Sequence, residues 1–156
     1  MTKAVPANQL WFLNTFITVR VSESDGQDGI SVLEFRAPYG DSPPLHLHRT
    51  EDEVFHILEG EFRLKVQDQE HRAGVGDTLL GPKGIPHTYR VESLQGGRFL
   101  TVTVRGDFER FVRAMSRPAE RPDLPEPAGA PSAEAIQALT ATAAKYGIEF
   151  VGPPLH

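Results

Sequence analysis

The chain contains no cysteine. Disulfides and thiolate metal sites are therefore excluded, and nothing in its redox chemistry points to an oxidising compartment. It also lacks a long apolar run: no window approaches the ~20 consecutive apolar residues that a membrane-spanning helix needs. Basic residues are in deficit, 16 against 21 acidic, for a formal charge of −5. No basic block stands out, which argues against nucleic acid or an anionic membrane surface as a partner. Met1–Leu10 has neither an apolar core nor a cleavage site, so no signal peptide is expected there and a cytoplasmic location is the default. At 156 residues the prior is one domain with a core of ordinary size.

What is abundant is turn chemistry: 14 glycines and 13 prolines punctuate short runs rich in β-branched and aromatic residues. Thr15–Val21, Ile30–Arg36, Glu53–Leu58, Phe62–Val66, Thr78–Leu80, His87–Val91 and Arg98–Val104 read as strands. Ser24–Gly29 and Glu59-Gly60 read as turns between them. Seven or eight such strands predict an all-β, single-domain antiparallel barrel or double-sheet jelly roll over residues 1–105. Phe16, Phe35, Phe55, Phe62 and Phe99 are its expected core.

The pattern changes after Gly106. Asp107 is placed to cap a helix carrying Phe108, Phe111, Val112 and Met115 at helical spacing. A proline-rich, extended stretch over 118–131 follows. Ser132 then caps a second helix with Ile136, Leu139 and Ala143 on one face and Gly147 as its stop. Residues 106–156 thus form a C-terminal helical extension whose apolar tail, Ile148–Leu155, is expected to pack on the barrel or on a partner chain.

Chemistry concentrates in two histidine-bearing stretches. His46 and His48 are two residues apart, so on a strand both imidazoles share a face, with Cα atoms roughly 6.5 Å apart. His87 lies on a later strand, with Tyr89 on the same face. Three imidazoles and a carboxylate form a donor set suited to one divalent transition metal, whether Fe, Mn, Ni, Co or Zn. Strand parity is lost at the Arg49–Asp52 turn. Periodicity therefore leaves Glu51, Asp52 and Glu53 all open as the carboxylate.

The spacings are specific. Gly40-x5-His46-x-His48-x4-Glu53-x6-Gly60 resembles the first motif of the cupin superfamily, and Gly76-x5-Pro82-x-Gly84-x2-His87 resembles the second. The resemblance implies a small β-barrel in which His46, His48, Glu53 and His87 bind one metal ion. That makes Glu53 the carboxylate and leaves Glu51 and Asp52 as solvated turn acids. The cupin pattern's closing asparagine is Val91 here, which removes a polar group from the inner face. Glu51–Glu61 and the Lys145–Pro154 tail are similar to quercetinase-like members.

By that resemblance the expected activity is a metal-dependent dioxygenase acting on a hydroxylated aromatic or enol-containing small molecule. Glu53 would accept the substrate's acidic proton, and Tyr89 would hydrogen-bond to substrate or to Glu53. The alternatives are a cyclase or isomerase for polyketide-like substrates, using the metal as a Lewis acid, and a non-catalytic small-molecule-binding cupin. His56 is expected on the outer sheet face and His71 in a turn. Val54 and Leu58, which face outward, together with Leu10–Leu13, are expected to form a homodimer interface.

Overall fold

Alternation of apolar and polar residues sets the faces of two antiparallel sheets. The structure, a computed structural model, describes residues 7–156; the first six residues of the Met1–Leu10 segment lie outside the described residues. The strands are β1 (Gln9–Phe12), β2 (Thr15–Val21), β3 (Ser31–Ala37), β4 (Leu45–His48), β5 (Glu53–Glu59), β6 (Phe62–Val66), β7 (Gln69–Ala73), β8 (Thr78–Gly81), β9 (His87–Val91) and β10 (Gly97–Thr103). Helix α1 (Asp107–Met115), the two-residue β11 (Arg117–Pro118), α2 (Ala133–Lys145) and β12 (Ile148–Gly152) complete the chain. One sheet runs β11-β1-β2-β3-β10-β5-β8 and the other β12-β4-β9-β6-β7. This is the all-β jelly roll expected, with both helices C-terminal.

The core lies between the sheets. β3 and β5 alternate buried and half-buried positions along their length, so Leu33, Phe35, Phe55 and Ile57 point inward to meet Phe62, Leu64 and Phe99. Phe35 and Phe99 stack with centroids 4.9 Å apart. The expected turn at Glu59-Gly60 needs its glycine: φ is +85°, and an added Cβ would lie 2.7 Å from the Gly96 carbonyl.

Several expectations are corrected. Phe16 is buried on the other side of its sheet, with Trp11 and Ala119, because the proline-rich stretch crosses there and covers it. The Trp11 indole N–H donates to the Asp123 carbonyl at 2.7 Å, and the guanidinium groups of Arg117 and Arg121 lie 4.6 and 5.1 Å from its ring. Leu10, Trp11 and Phe12 are thus buried within their own chain, and of the Leu10–Leu13 stretch expected at an interface only Leu13 is exposed; Val54 and Leu58 are half-buried. His71 is in strand β7, not in a turn. Residues 69–73 carry one buried position among four exposed ones, too weak an alternation to mark a strand in the sequence.

The helices depart in detail. The N-cap of α1 is Gly106, with φ 84° and no side-chain cap, and Asp107 is its first helical residue. Ser132 does cap α2, accepting from the Ala135 N–H at 3.1 Å, and Gly147 ends it with φ +73°. On α2 only Ala143 is buried; Ile136 is half exposed. The tail is a strand: Ile148–Gly152 pairs antiparallel with β4, so the C-terminal extension supplies a strand to the smaller sheet.

Candidate metal centre

β4 carries His46 and His48 on one face, as the two-residue period requires. β9 lies beside it with His46 and His87 in register as Cα partners. Glu53 comes from the facing sheet, at the first position of β5. The four side chains converge: one ligand atom from each lies within 4.8 Å of the others, and all four side chains are buried. The His48 and His87 rings are stacked with centroids 5.3 Å apart, and His46 meets His87 edge-on at 4.7 Å.

The hydrogen bonds orient the imidazoles. His46 Nδ1 lies 2.8 Å from the Pro44 carbonyl and His87 Nδ1 3.1 Å from the Ile85 carbonyl. A carbonyl only accepts, so each Nδ1 carries the proton and each Nε2 turns its lone pair inward. His87 Nε2 then sits 2.9 Å from Glu53 Oε2, acceptor against acceptor. That contact needs a proton or a cation between the two. His48 Nε2 is 3.0 Å from the same oxygen but is not aligned to hydrogen-bond with it, and it has no other partner among the described residues. An unsatisfied buried nitrogen beside a shared carboxylate oxygen is what a cation-binding donor set presents when its coordinating atoms have only one another to face.

The electrostatics agree. Burial, reinforced by the neighbouring imidazoles, pushes His46 down to about 3, so it is neutral. Burial alone would raise Glu53, but the adjacent His48 and His87 outweigh it and hold the carboxyl well below its usual range. For His87 burial is likewise overcome by Glu53, and its pKa is raised. Neutral His46 and ionised Glu53 are thus in the protonation states that bind a metal, whereas Glu53 favours a proton on His87 that a bound cation would displace.

Two residues that support this cluster were not evident in the sequence. Gly81 is the Cα partner of Glu53, and a Cβ there would meet His87 Nδ1 at 3.0 Å. The absence of a side chain makes room for the imidazole. Glu51, expected as a solvated acid, is 1% exposed. Its carboxylate accepts the backbone N–H of Asp107 at 3.1 Å and of Phe108 at 2.9 Å, capping α1 from a distance. Phe108 in turn packs edge-on against His48, centroids 5.2 Å apart. Burial raises Glu51 to about 7 despite these donors and nearby His48. Asp52 is exposed, as expected, and accepts from the Lys83 N–H. His56 faces outward and contacts Thr78.

An apolar cavity, open at one end, reaches this cluster. His46, His48 and Glu53 line it together with Phe35, Phe55, Phe99, Phe108, Phe111 and, from the C-terminal extension, Leu139, Ile148 and Phe150. Tyr89 lines it too, but its hydroxyl donates to Asp41 Oδ2 at 2.8 Å rather than to Glu53. Burial, and then the Asp41 charge, push the Tyr89 phenol well above its usual value. Val91 is fully buried, as an apolar residue replacing a polar one should be.

These features define a jelly roll with a buried, metal-competent cluster at the end of an aromatic cavity. Residues 33–103 match the family described as the cupin domain. This match assigns residues 33–103 to the cupin superfamily. It is 33% identical over 104 residues to quercetin 2,3-dioxygenase of Bacillus subtilis, an alignment spanning 67% of this chain and 30% of that protein. It is also 33% identical over 57 residues to an uncharacterized protein of Methanocaldococcus jannaschii, covering 36% of this chain and 46% of the other. The chain therefore spans less than half the length of either relative. Among solved structures, the polyketide cyclase RemF from Streptomyces resistomycificus superposes with a TM-score of 0.55 at 25% identity, over 67% of this chain and 80% of that one. A predicted oxalate decarboxylase from Thermotoga maritima gives 0.57 at 18% identity, over 65% and 98%, and bears on the fold alone.

Proposed function

We propose that this cupin is a metal-dependent dioxygenase acting on a hydroxylated aromatic or enol-containing small molecule. The observation that carries the proposal is an ionised, buried carboxylate among inward-facing imidazole nitrogens, opening onto a cavity walled by phenylalanines. His46, His48, Glu53 and His87 are the proposed ligands of one divalent ion, of Fe, Mn, Ni, Co or Zn. That ion would supply Lewis acidity and an anchoring point for oxygen donors of the substrate. The aromatic wall takes a planar apolar body and excludes water from it. Glu53, facing the cavity, accepts the substrate's acidic hydroxyl proton, leaving an electron-rich enolate that dioxygen can oxidise. Tyr89, with its hydroxyl committed to Asp41, contributes its ring to the wall. The similarity to quercetin 2,3-dioxygenase supports the reaction class.

The test is oxygen uptake by protein reconstituted with each metal in turn and offered flavonols and related enols. Uptake dependent on one metal is the expected result; none with any metal refutes the dioxygenase assignment. The likeness to a polyketide cyclase favours a second reading, a cyclase or isomerase, under which turnover would persist in anaerobic buffer. We further propose a homodimer through the outward-facing Val54 and Leu58, to be checked by sedimentation, where a stable monomer at micromolar concentration would refute it.

A further inference from the structure

One hydroxyl in the cavity wall has no task in the scheme above. Thr101 lies on β10 and lines the cavity. It is 2% exposed, and its Oγ1 has no hydrogen-bond partner among the described residues. A buried hydroxyl left unpaired destabilises the native state, so a native fold that retains one has given up stability at that position. Of the other polar groups of the wall, Tyr89 Oη is engaged on Asp41, His46 Nδ1 on Pro44 and Glu53 Oε2 on His87, while the unpaired His48 Nε2 belongs to the histidine–glutamate cluster itself. A water held beside Thr101 would need two to four polar partners, and a phenylalanine-rich wall offers few.

The register fixes where this hydroxyl lies. Thr103 is the Cα partner of Glu53, and Thr101 is the partner of Phe55. Thr101 is therefore one inward-facing position away from Glu53, about 7 Å along the strand. We propose that Thr101 is a substrate-contacting specificity residue. Its hydroxyl pairs with a polar group, a phenolic hydroxyl or a carbonyl, on the part of an aromatic substrate remote from the oxygens that meet the histidine–glutamate cluster. The inference rests on the proposal that the cavity takes such a substrate, and it narrows the class. The preferred molecule is polar at two places separated by roughly that distance, and apolar between them.

The test uses Thr101→Val, which keeps the shape and removes the hydroxyl, and Thr101→Ser, which restores it. The probes are 3-hydroxyflavone, bearing only the hydroxyl–carbonyl pair, and quercetin, which adds hydroxyls on the remaining rings. Binding is followed by calorimetry on the metal-loaded protein. Wild type and T101S should prefer quercetin, and T101V should lose about tenfold of that preference with its affinity for 3-hydroxyflavone unchanged. Without ligand, T101V should melt at the wild-type temperature or above it, since it sheds an unpaired polar group. An unchanged preference in T101V overturns the inference, and so does a lower melting temperature, which would mean the hydroxyl serves the fold. Should the wild type bind neither flavonol, the flavonol proposal falls on its own; the Thr101 inference is then decided by the melt.

Discussion

Glu51 offers the sharpest test of how the barrel and the C-terminal extension are joined. Replacing it with alanine strands two N–H donors, those of Asp107 and Phe108, at the start of a helix that has no side-chain cap of its own. Each buried donor left unpaired is worth about 1–3 kcal/mol. Removing a buried carboxyl returns part of that, so Glu51→Ala should lose about 3 kcal/mol, a fall of about 6–12 °C in Tm for a chain of this size. Glu51→Gln retains an acceptor but cannot ionise, and so isolates the charge. The folded-state pKa of about 7 lies above the ordinary carboxyl value, so the native state binds the extra proton. The stabilisation this brings is complete below about pH 4.5 and gone above about pH 7, with an upper bound of about 3 kcal/mol. The assay is thermal unfolding by circular dichroism on chelator-treated protein from pH 5 to pH 8, reading wild-type Tm minus Glu51→Gln Tm. The difference should move against the wild type as pH rises, most steeply between about pH 5 and 6.5, and level off above about pH 7. A difference flat across that range would refute the argument that burial dominates the environment of Glu51. A Glu51→Ala Tm within 1 °C of wild type would refute the distant cap.

Two further outcomes follow from the cluster itself. Adding a binding divalent metal at about a hundredfold over Kd should stabilise the chelator-treated protein by about 2.7 kcal/mol, a rise of about 5–11 °C in Tm; His87→Ala should abolish that rise, and a rise that survives the substitution would place the ion elsewhere. Gly81→Ala should fold but bind metal about tenfold more weakly, by analogy with the loss of other groups that orient ligands, because the new Cβ presses on the His87 ring from 3.0 Å; titration of the variant with the same metal checks it.

The converging histidine–glutamate cluster was legible because its information is local. His46-x-His48 declares a shared strand face, and the glycines and prolines around His87 fix the turn that delivers it. Choosing Glu53 over its neighbours was not possible from periodicity, since the Arg49–Asp52 turn erases parity; only the resemblance could choose. Glu51 was misjudged for a related reason. Its partners are backbone groups more than fifty residues away, and a carboxylate that caps a distant helix looks in sequence like any acid in a turn. Phe16 and Trp11 were assigned to the wrong places because a strand pattern shows alternation without saying what covers each face; here a proline-rich strap does. The edge strand β12 was read as an apolar tail, since its pairing with β4 is set by tertiary contact rather than by its own five residues.

That pairing has a consequence for the site. β4 carries two of the four converging side chains, yet it is only four residues long, and its register with β9 is anchored at the single pair His46–His87. A strand so short and so lightly paired on one side would be free to slip, and a one-residue slip would turn both imidazoles out of the cavity. β12 holds the other edge through Ile148–His48, Glu149–Leu47 and Phe150–His46, and Glu149 adds an ion pair to Arg49. The same strand places Ile148 and Phe150 in the cavity wall, with the Phe150 ring 6.3 Å from that of His46. Position and environment of the histidines are thus fixed by one segment about a hundred residues downstream. Substitutions in β12 should therefore alter cavity shape and imidazole geometry together, and cannot be expected to separate the two.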